Sequence, residues 1–350
     1  MKKGLTRRQI LRCIPAGALI LLGCGLEERT QEKPRVISDP SILEFYDSLW
    51  KQLKEGTLTD YQHQDTFEPY LAVWREARDF CREHGISIEG AFEMNFLVNK
   101  EAPDGLKDRF SKLYFAYLAS SQTPDNLDGV KDKAGYIKEN RLSYEDVIQI
   151  INKARISLFG EQHGNVAHSN LEMRLLGDIS HDGLACTCEP LQVQRKDILE
   201  RFLGGGDESG DELVEGVLGP EETKKELKVV RGIHIPVIPA DVYFDLDKRR
   251  TPDNGPFFPD ERTTFIRESV IARQMIYAQS KGYRIFGWWG DGHTRPEHLP
   301  RQLKTKGVTP LVVSGSNFSE EVYDVAMEVS GNKDIFFRRG EHITYVAPRT

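Results

Sequence analysis

Two short segments share one pattern, and they constrain the fold of this chain more than any other feature. Each begins with an apolar run rich in β-branched and aromatic residues. The run ends in a glycine, and an acidic residue, one further residue and a histidine follow; the segments are Ile156–His163 and Arg284–His293. This pattern is expected where a buried parallel strand ends, and open α/β sheets place their binding sites there. Two surface turns are the structural alternative, although histidine is not a favoured turn residue and here it recurs.

From residue 141 onward the sequence alternates between strand and helix patterns, which predicts a mostly parallel sheet with flanking helices. The predicted strands are 156–159, 184–189, 235–240, 283–289 and 310–313, and 335–337 and 343–346 are predicted to pair as a hairpin. The predicted helices are 143–154, 168–179, 195–203, 221–230, 263–280 and 318–329. The fold class is therefore α/β over residues 141–350.

Residues 40–140 read as a helical region that precedes this domain. Apolar and aromatic residues recur there at steps of three and four, in runs that begin at Pro40 and span 70–84 and 106–120. Aromatic stripes at helical spacing are usually core, so we assign them packing and no chemistry.

The first 39 residues are predicted to be an export signal followed by a tether. A basic segment precedes the apolar run from Cys13 to Gly23, which is too short to span a bilayer, so residues 1–23 are a predicted signal peptide. Leu21–Cys24 resembles a bacterial lipobox, which predicts lipidation of Cys24, and Arg7-Arg8 resembles a twin-arginine export signal. An ordinary signal peptide with an incidental cysteine is the alternative. Residues 24–39 are polar and are predicted to form a tether in a lipid-anchored protein of the bacterial cell envelope.

The net charge of the mature chain limits the classes of partner that it can bind. The leader contains five basic residues and no acidic ones, so its removal changes the formal net charge from −7 to −12. An acidic protein is a poor candidate for binding nucleic acid, and an anionic membrane would repel it. The lipid is therefore the predicted attachment to the membrane.

The predicted strand ends carry the side chains that can perform chemistry or bind a metal. The candidate ligand set is Glu161, His163, Glu189, Asp291 and His293, with Asp241 at the end of a further predicted strand. Histidine and carboxylate side chains supply ligands for divalent metals or act as general acids and bases. Cys186 and Cys188 are predicted to share one face of a strand, either as a soft-metal or haem contact or, more simply, as small core residues. The zincin, nucleophile-elbow and dinucleotide-binding motifs do not occur.

The stretch from Leu142 to about Leu303 resembles the ChaN-type haem-binding uptake proteins, whose superfamily also includes the erythromycin esterases and the Tiki and TraB proteins. The matching positions are Gly160–His163 with His168, Glu189, the helix segment Arg267–Ala272 including Glu268, and Gly290–His293. The resemblance implies an envelope lipoprotein that binds haem or a metal ion in iron uptake. Other branches of the superfamily are metal-dependent hydrolases. The haem-ligating tyrosine of ChaN relatives has no aligned counterpart in this sequence.

Two functional hypotheses follow. In the preferred one the chain binds haem or a divalent metal, with Tyr243, Phe244, Trp288 and Trp289 as candidate walls of a haem slot and Arg267 and Arg295 as partners for the propionates. In the alternative it is a hydrolase in which His163 and His293 hold a metal or act as acid and base, and Glu161 activates water. The acidic strand ends favour the hydrolase, because haem propionates prefer basic contacts.

Overall fold

The structure is a computed structural model, and it describes residues 35–58, 67–86, 96–121, 127, 130–162, 165–189, 191–206, 210–214, 220–242, 261–315 and 319–349. The predicted signal peptide, the twin-arginine pair and the lipidation site at Cys24 lie outside these residues. His163, Tyr243 and Phe244 also lie outside them.

Among the described residues, seven strands form one sheet in the spatial order β1-β6-β7-β5-β2-β4-β3. The strands are β1 Arg141–Leu142, β2 Ile156–Glu161, β3 Leu184–Cys188, β4 Arg284–Gly290, β5 Leu311–Ser314, β6 Ile335–Arg339 and β7 His342–Val346. The five strands from β7 to β3 run parallel, whereas β1, β6 and β7 pair antiparallel. The predicted α/β class and the terminal hairpin are confirmed.

Helices precede the sheet and cover both of its faces. Before β2 they are α1 Ile42–Glu55, α2 Phe67–Glu83, α3 Asp104–Ser121, α4 Lys133–Glu139 and α5 Tyr144–Lys153. After it they are α6 Val166–Asp178, α7 Lys196–Leu203, α8 Asp211–Val214, α9 Pro220–Ile233, α10 Glu261–Ser280, α11 Leu299–Thr305 and α12 Glu320–Ser330. Ser143 caps α5 in a reciprocal capping box with Asp146. None of the described helices has the length and the apolar character that crossing a membrane requires.

The two glycine-acid-x-histidine motifs belong to neighbouring strands. β2 pairs with β4 in a parallel register that places Gly160 opposite Trp289. On its other side β2 pairs with β5, so β2 is an interior strand of the sheet. Because both strands end at the same edge, Glu161 of the first motif lies beside Gly290 of the second there.

The strand predicted at 235–240 is not a strand of this sheet. The segment lies beside β3, and Val237 forms isolated bridges with Cys186 and Val36. Pro236 and Pro239 interrupt the segment, and a proline cannot donate the N–H that a continuous ladder needs. It therefore follows the edge of the sheet without joining it.

Each face of the sheet has its own core. One core contains Phe159, Cys186, Cys188 and Trp288 and packs against α5, α6, α7 and α9, whereas the other contains Trp289 and packs against α10 and α11. Both cysteines are free and fully buried on the first face, and burial raises the pKa of each thiol. This placement agrees with the simpler interpretation of the pair as core residues.

Residues 35–39, at the end of the predicted tether, pack against the α/β domain. Ile37 N donates to Val237 O at 2.8 Å. Asp39 pairs with Arg273 of α10 at 2.7 Å, and its backbone N–H donates to Gln274 at 2.7 Å. This part of the predicted tether is therefore held on the fold. The α1 helix continues the contact, because its apolar side packs on α10.

Candidate functional site

Arg267, on α10, is the centre of a network of charged side chains at the ends of the strands. Its Nε and Nη2 donate to the two carboxylate oxygens of Asp241, at 2.6 and 2.7 Å. Nη2 also donates to Oε1 of Glu189 at 2.8 Å, and Nη1 donates to Nε2 of His293 at 2.8 Å. The backbone N–H of Gly290 donates to the second oxygen of Glu189 at 2.9 Å. The network therefore joins α10 to the residues that follow β3 and β4.

These hydrogen bonds fix the tautomer of His293. A guanidinium can only donate, so Nε2 of His293 is the acceptor toward Arg267. The ring proton is then on Nδ1, which donates to Oε1 of Glu268 at 3.1 Å. Nδ1 of His298 lies 3.0 Å from the same oxygen. A carboxylate that holds one ring nitrogen in this way leaves the other suited to act as a base or a metal ligand.

The carboxylate that holds His293 is fully buried, and its charge is stabilised by two imidazoles. Burial acts to raise the pKa of Glu268, but hydrogen bonds from His293 and His298 outweigh it and hold the pKa below the ordinary value. Burial acts to lower the pKa of His298, and its contact with Glu268 raises that pKa above the ordinary value. The two groups thus keep opposite charges over a wider pH range than either would alone.

The charge on Arg267 is stabilised in the same way. Burial disfavours the guanidinium, but Asp241 and Glu189 more than offset this effect, so the pKa of Arg267 lies above the usual value. The side chains of Arg267, Glu189 and His293 are 17%, 24% and 14% exposed, so the network is partly open to solvent. We call Glu189, Asp241, Arg267, Glu268 and His293 the rim.

Asp291 connects the two motifs by packing. Its Oδ1 accepts hydrogen bonds from Ser314 Oγ at 2.8 Å and from Thr294 Oγ1 at 3.3 Å. A Cβ atom on Gly160 would overlap with the side chains of Asp291 and Thr294. The glycine of the first motif is therefore required where the second motif packs across β2, and Asp291 points at neighbouring side chains of the fold.

The structure places Glu161 away from the rim, although the sequence predicts one shared site. Side chains alternate along a strand, so Glu161 lies on the face of Phe159, toward α6 and α9. Glu189 and His293 lie on the opposite face, toward α10. The predicted site is thus divided between the two faces of the sheet. His163, the remaining member of the predicted set, is outside the described residues.

His168 is a buried residue of the core. It lies between Phe159 and Tyr345, with ring centroids 6.4 and 5.7 Å away. Its Nδ1 accepts the backbone N–H of Gln162 at 2.9 Å, and burial lowers the pKa of the imidazole. The ring also lies against Gly315, where a Cβ atom would overlap with it. His168 therefore positions the chain that follows β2.

Three ionisable residues join these groups without belonging to any sequence motif. His298 contacts Glu268. Glu172 of α6 and Glu226 of α9 lie with Glu161, and one oxygen of each lies within 4.8 Å of the others. The residues are far apart in the sequence, so no spacing rule brings them together. One signal was present, because Glu172 falls at helical spacing among Leu171, Leu175 and Leu176, on the buried side of its helix.

The described rim residues do not fit a haem group. Haem needs an apolar slot and an axial ligand, together with donors for its propionates. Trp288 and Trp289 are fully buried in the two cores, so neither can line a slot. Arg267 is the rim's cationic donor for a propionate, and four of its five N–H groups already donate to Asp241, Glu189 and His293.

A cavity lies elsewhere, on the helical region between α2 and α3. Its volume is about 680 Å³, and it is lined by Glu76, Asp79, Phe80, Glu83, Pro103, Leu106 and Arg109. None of these residues belongs to the rim, and charged side chains make up more than half of the lining.

Comparison with known proteins gives weak structural likenesses. No family model and no curated protein matches the chain. A solved structure described as cofacial heme binding to ChaN of Campylobacter jejuni is 15% identical, with a TM-score of 0.41, and the match covers 50% of this chain and 86% of that one. Two solved structures described as bacterial protein toxins are 13% and 14% identical, with TM-scores of 0.33 and 0.32. These matches cover 85% and 86% of this chain and 69% and 70% of the toxin chains.

Proposed function

We propose that the protein is a hydrolase and that the rim is its active site, with His293 as the general base. The observation that carries this proposal is the pair of adjacent groups at the rim surface. Nε2 of His293, whose other nitrogen is held by Glu268, lies 2.8 Å from Nη1 of Arg267. A base and a cationic hydrogen-bond donor side by side are the two groups that acyl transfer to water requires.

Arg267 has one donor left for a substrate. Its side chain has five N–H groups, and four of them donate to Asp241, Glu189 and His293. The fifth, on Nη1, has no acceptor among the described residues and lies next to His293. A substrate that enters between the two side chains replaces the hydrogen bond from Nη1 to Nε2: its carbonyl oxygen accepts from Arg267, and a water molecule beside the carbonyl donates to the freed Nε2 of His293.

The reaction then proceeds by general base catalysis. Nε2 of His293 removes a proton from the water as the water oxygen adds to the carbonyl carbon, and the π electrons move to the carbonyl oxygen. Arg267 stabilises that oxyanion, and Glu268 stabilises the imidazolium through Nδ1. The bond to the leaving alcohol or amine breaks as the carbonyl re-forms, and the imidazolium returns its proton to the leaving group.

The charge of the rim favours neutral or cationic substrates. Three carboxylates surround one guanidinium and the imidazoles, and a further acidic group lies on the opposite face at the same edge of the sheet. An anionic substrate would meet a negative potential there. Esters and amides without a negative charge are therefore the proposed substrate class.

The test is hydrolysis of a series of uncharged p-nitrophenyl esters by the wild type and by Glu268→Gln. Glutamine keeps the size of the side chain but removes the negative charge that supports the imidazolium, so kcat/KM should fall about 10–100-fold, as when such outer partners are lost elsewhere. His84→Gln is the control, because His84 is exposed in the turn that follows α2. The absence of turnover with every ester and every matching amide would overturn the proposal.

Haem binding is the competing outcome, and it rests on the sequence resemblance to ChaN-type proteins. Haemin titration of the same proteins decides it, because bound haem gives a Soret band. Stoichiometric haem binding that is lost in His293→Gln, together with no ester hydrolysis, would show that the protein is a haem-uptake protein and not a hydrolase.

The proposal extends to location: we place the protein in the bacterial cell envelope, anchored through a lipid on Cys24, on the strength of the Leu21–Cys24 motif.

A further inference from the structure

Glu161, Glu172 and Glu226 form a second polar cluster, on the face of the sheet opposite α10. Glu161 ends β2, Glu172 is on α6 and Glu226 is on α9. One carboxyl oxygen from each lies within 4.8 Å of the other two. The rim network makes its contacts through α10, so this cluster is separate from it. We call these three residues the acidic cluster.

Glu172 has no donor for its carboxyl group. Its exposed fraction is 0%, and neither of its oxygens accepts a hydrogen bond from an N–H or hydroxyl group among the described residues. The other side chains that act on it are Glu161 and Glu226, which like burial raise its pKa well above the ordinary value. A buried carboxylate without a partner is costly, so this group needs either a proton or a cation.

The other two members are arranged as ligands would be. Glu226 is buried, and its Oε2 accepts from Nε1 of Trp288 at 3.0 Å. Ligating carboxylates are commonly oriented by hydrogen bonds of this kind. Glu161 is only half-buried, so it links the buried pair to the surface and gives an ion a way in.

The cluster is compact enough for its members to share one hard cation. Metal–oxygen distances are about 2.3–2.6 Å for Ca²⁺ and about 2.0–2.1 Å for Mg²⁺. One carboxyl oxygen of each residue lies within 4.8 Å of the others, so small side-chain movements would bring all three onto a single ion. Carboxylate oxygens alone favour Ca²⁺, Mg²⁺ or Mn²⁺ over softer metals.

We propose that Glu161, Glu172 and Glu226 bind one hard divalent cation of the Ca²⁺, Mg²⁺ or Mn²⁺ class. The ion would link β2 to α6 and α9 and supply the counter-charge that Glu172 lacks. The site does not depend on the chemistry of His293, and its failure would leave the proposed hydrolase standing unless activity also proved to need the ion.

The test is direct metal binding to the full chain after treatment with a chelator. Mn²⁺ serves as the probe, because the electron paramagnetic resonance signal of free Mn²⁺ disappears when the ion binds, and Ca²⁺, Mg²⁺ and Zn²⁺ are added as competitors. The wild type should bind one Mn²⁺ per chain, and Ca²⁺ or Mg²⁺ should displace it. Glu172→Gln should weaken binding at least about 10-fold. Replacing a residue that only orients a metal ligand commonly lowers the affinity by that factor, and here a ligand itself is lost.

Two further variants keep the test decisive. Glu161→Gln removes a half-buried ligand and should also weaken binding at least about 10-fold, even if Glu172→Gln proves to be unfolded. Glu328→Gln, on the exposed side of α12, should bind as the wild type does. The proposal is overturned if the wild type binds no Mn²⁺, or if binding is the same in all folded variants. Either result would mean that Glu172 is kept neutral by a proton shared with Glu161.

Discussion

Replacing Arg267 with methionine should destabilise the fold far more than replacing a similar but exposed arginine. Methionine keeps much of the length and the apolar stem and removes the charge. Asp241, only 5% exposed, then loses the two hydrogen bonds from Arg267 and keeps the one from the backbone N–H of Val242, and Glu189 loses one. Breaking a buried ion pair by removing one partner costs about 3–5 kcal/mol, because the other charge is left buried.

Arg349 provides the matched control. It makes two short hydrogen bonds to Glu320, at 2.7 and 2.6 Å, but both side chains are more than 60% exposed. Water replaces the lost contacts there, so Arg349→Met should leave the free energy of unfolding nearly unchanged. The hydrogen-bond distances are similar, but Arg267 is buried and also donates to Glu189 and His293, so the comparison measures the cost of removing a buried, networked charge instead of an exposed one.

The loss in Arg267→Met should also depend on pH. Burial already raises the pKa of Asp241 against the opposing effect of Arg267, and removal of the arginine lets it rise further. A group whose pKa is higher in the folded state binds more protons when folded, so its contribution to stability falls as pH rises from the unfolded pKa through the folded one. The variant should therefore be closer to the wild type at pH 5 than at pH 8.

Urea unfolding of the wild type, Arg267→Met and Arg349→Met, followed by tryptophan fluorescence at both pH values, measures these differences. Equal losses in the two variants would show that the Arg267 network is no more than a solvated surface ion pair. A loss in Arg267→Met that is the same at pH 5 and pH 8 would show that Asp241 does not become the buried, uncompensated group.

Three further predictions can be checked separately. Gly160→Ala should cost about 1–3 kcal/mol in urea unfolding, because the added methyl overlaps with two buried side chains, whereas Gly292→Ala, with open space at its Cβ, should stay within about ±0.5 kcal/mol; equal costs would refute the packing argument. The pKa of His298 is raised in the folded protein, so its pair with Glu268 stabilises the fold fully below the unfolded pKa of about 6.5 and less as pH rises through the folded pKa. The stability difference between wild type and His298→Gln should therefore shrink from pH 6 to pH 9. A constant or growing difference would contradict the ion pair. Radiolabelled palmitate should enter the wild type and not Cys24→Ser in a bacterial host, and equal labelling would rule out the anchor.

The sheet and the convergence of its strand ends were predictable because short continuous apolar runs and the glycines that end them are local signals. The adjacency of the two motifs follows from parallel topology and is seen in the pairing of β2 with β4. The separation of Glu161 from the rim could also have been predicted. Side chains alternate along a strand, so Glu161 lies on the same face as Phe159, and Gly160 lies on the opposite face, against the second motif.

Other parts of the site could not be predicted from local patterns. Glu172 and Glu226 come from two helices whose packing on the sheet decides their neighbours, and His298 has no motif of its own. The edge segment at 235–240 was misassigned because its apolar run resembles a strand, while its two prolines prevent a continuous ladder. In each case tertiary packing decides which polar groups meet, and sequence spacing carries no information about it.

The measurement that tests the central claim most directly is kcat/KM for ester hydrolysis by the wild type, His293→Gln and the control His84→Gln. If His293 is the general base, its replacement should lower kcat/KM about 10²–10⁴-fold, and the control should equal the wild type. Circular dichroism should show that all three proteins are folded. Hydrolysis by a folded His293→Gln at the wild-type rate would contradict the assignment of the rim as the active site.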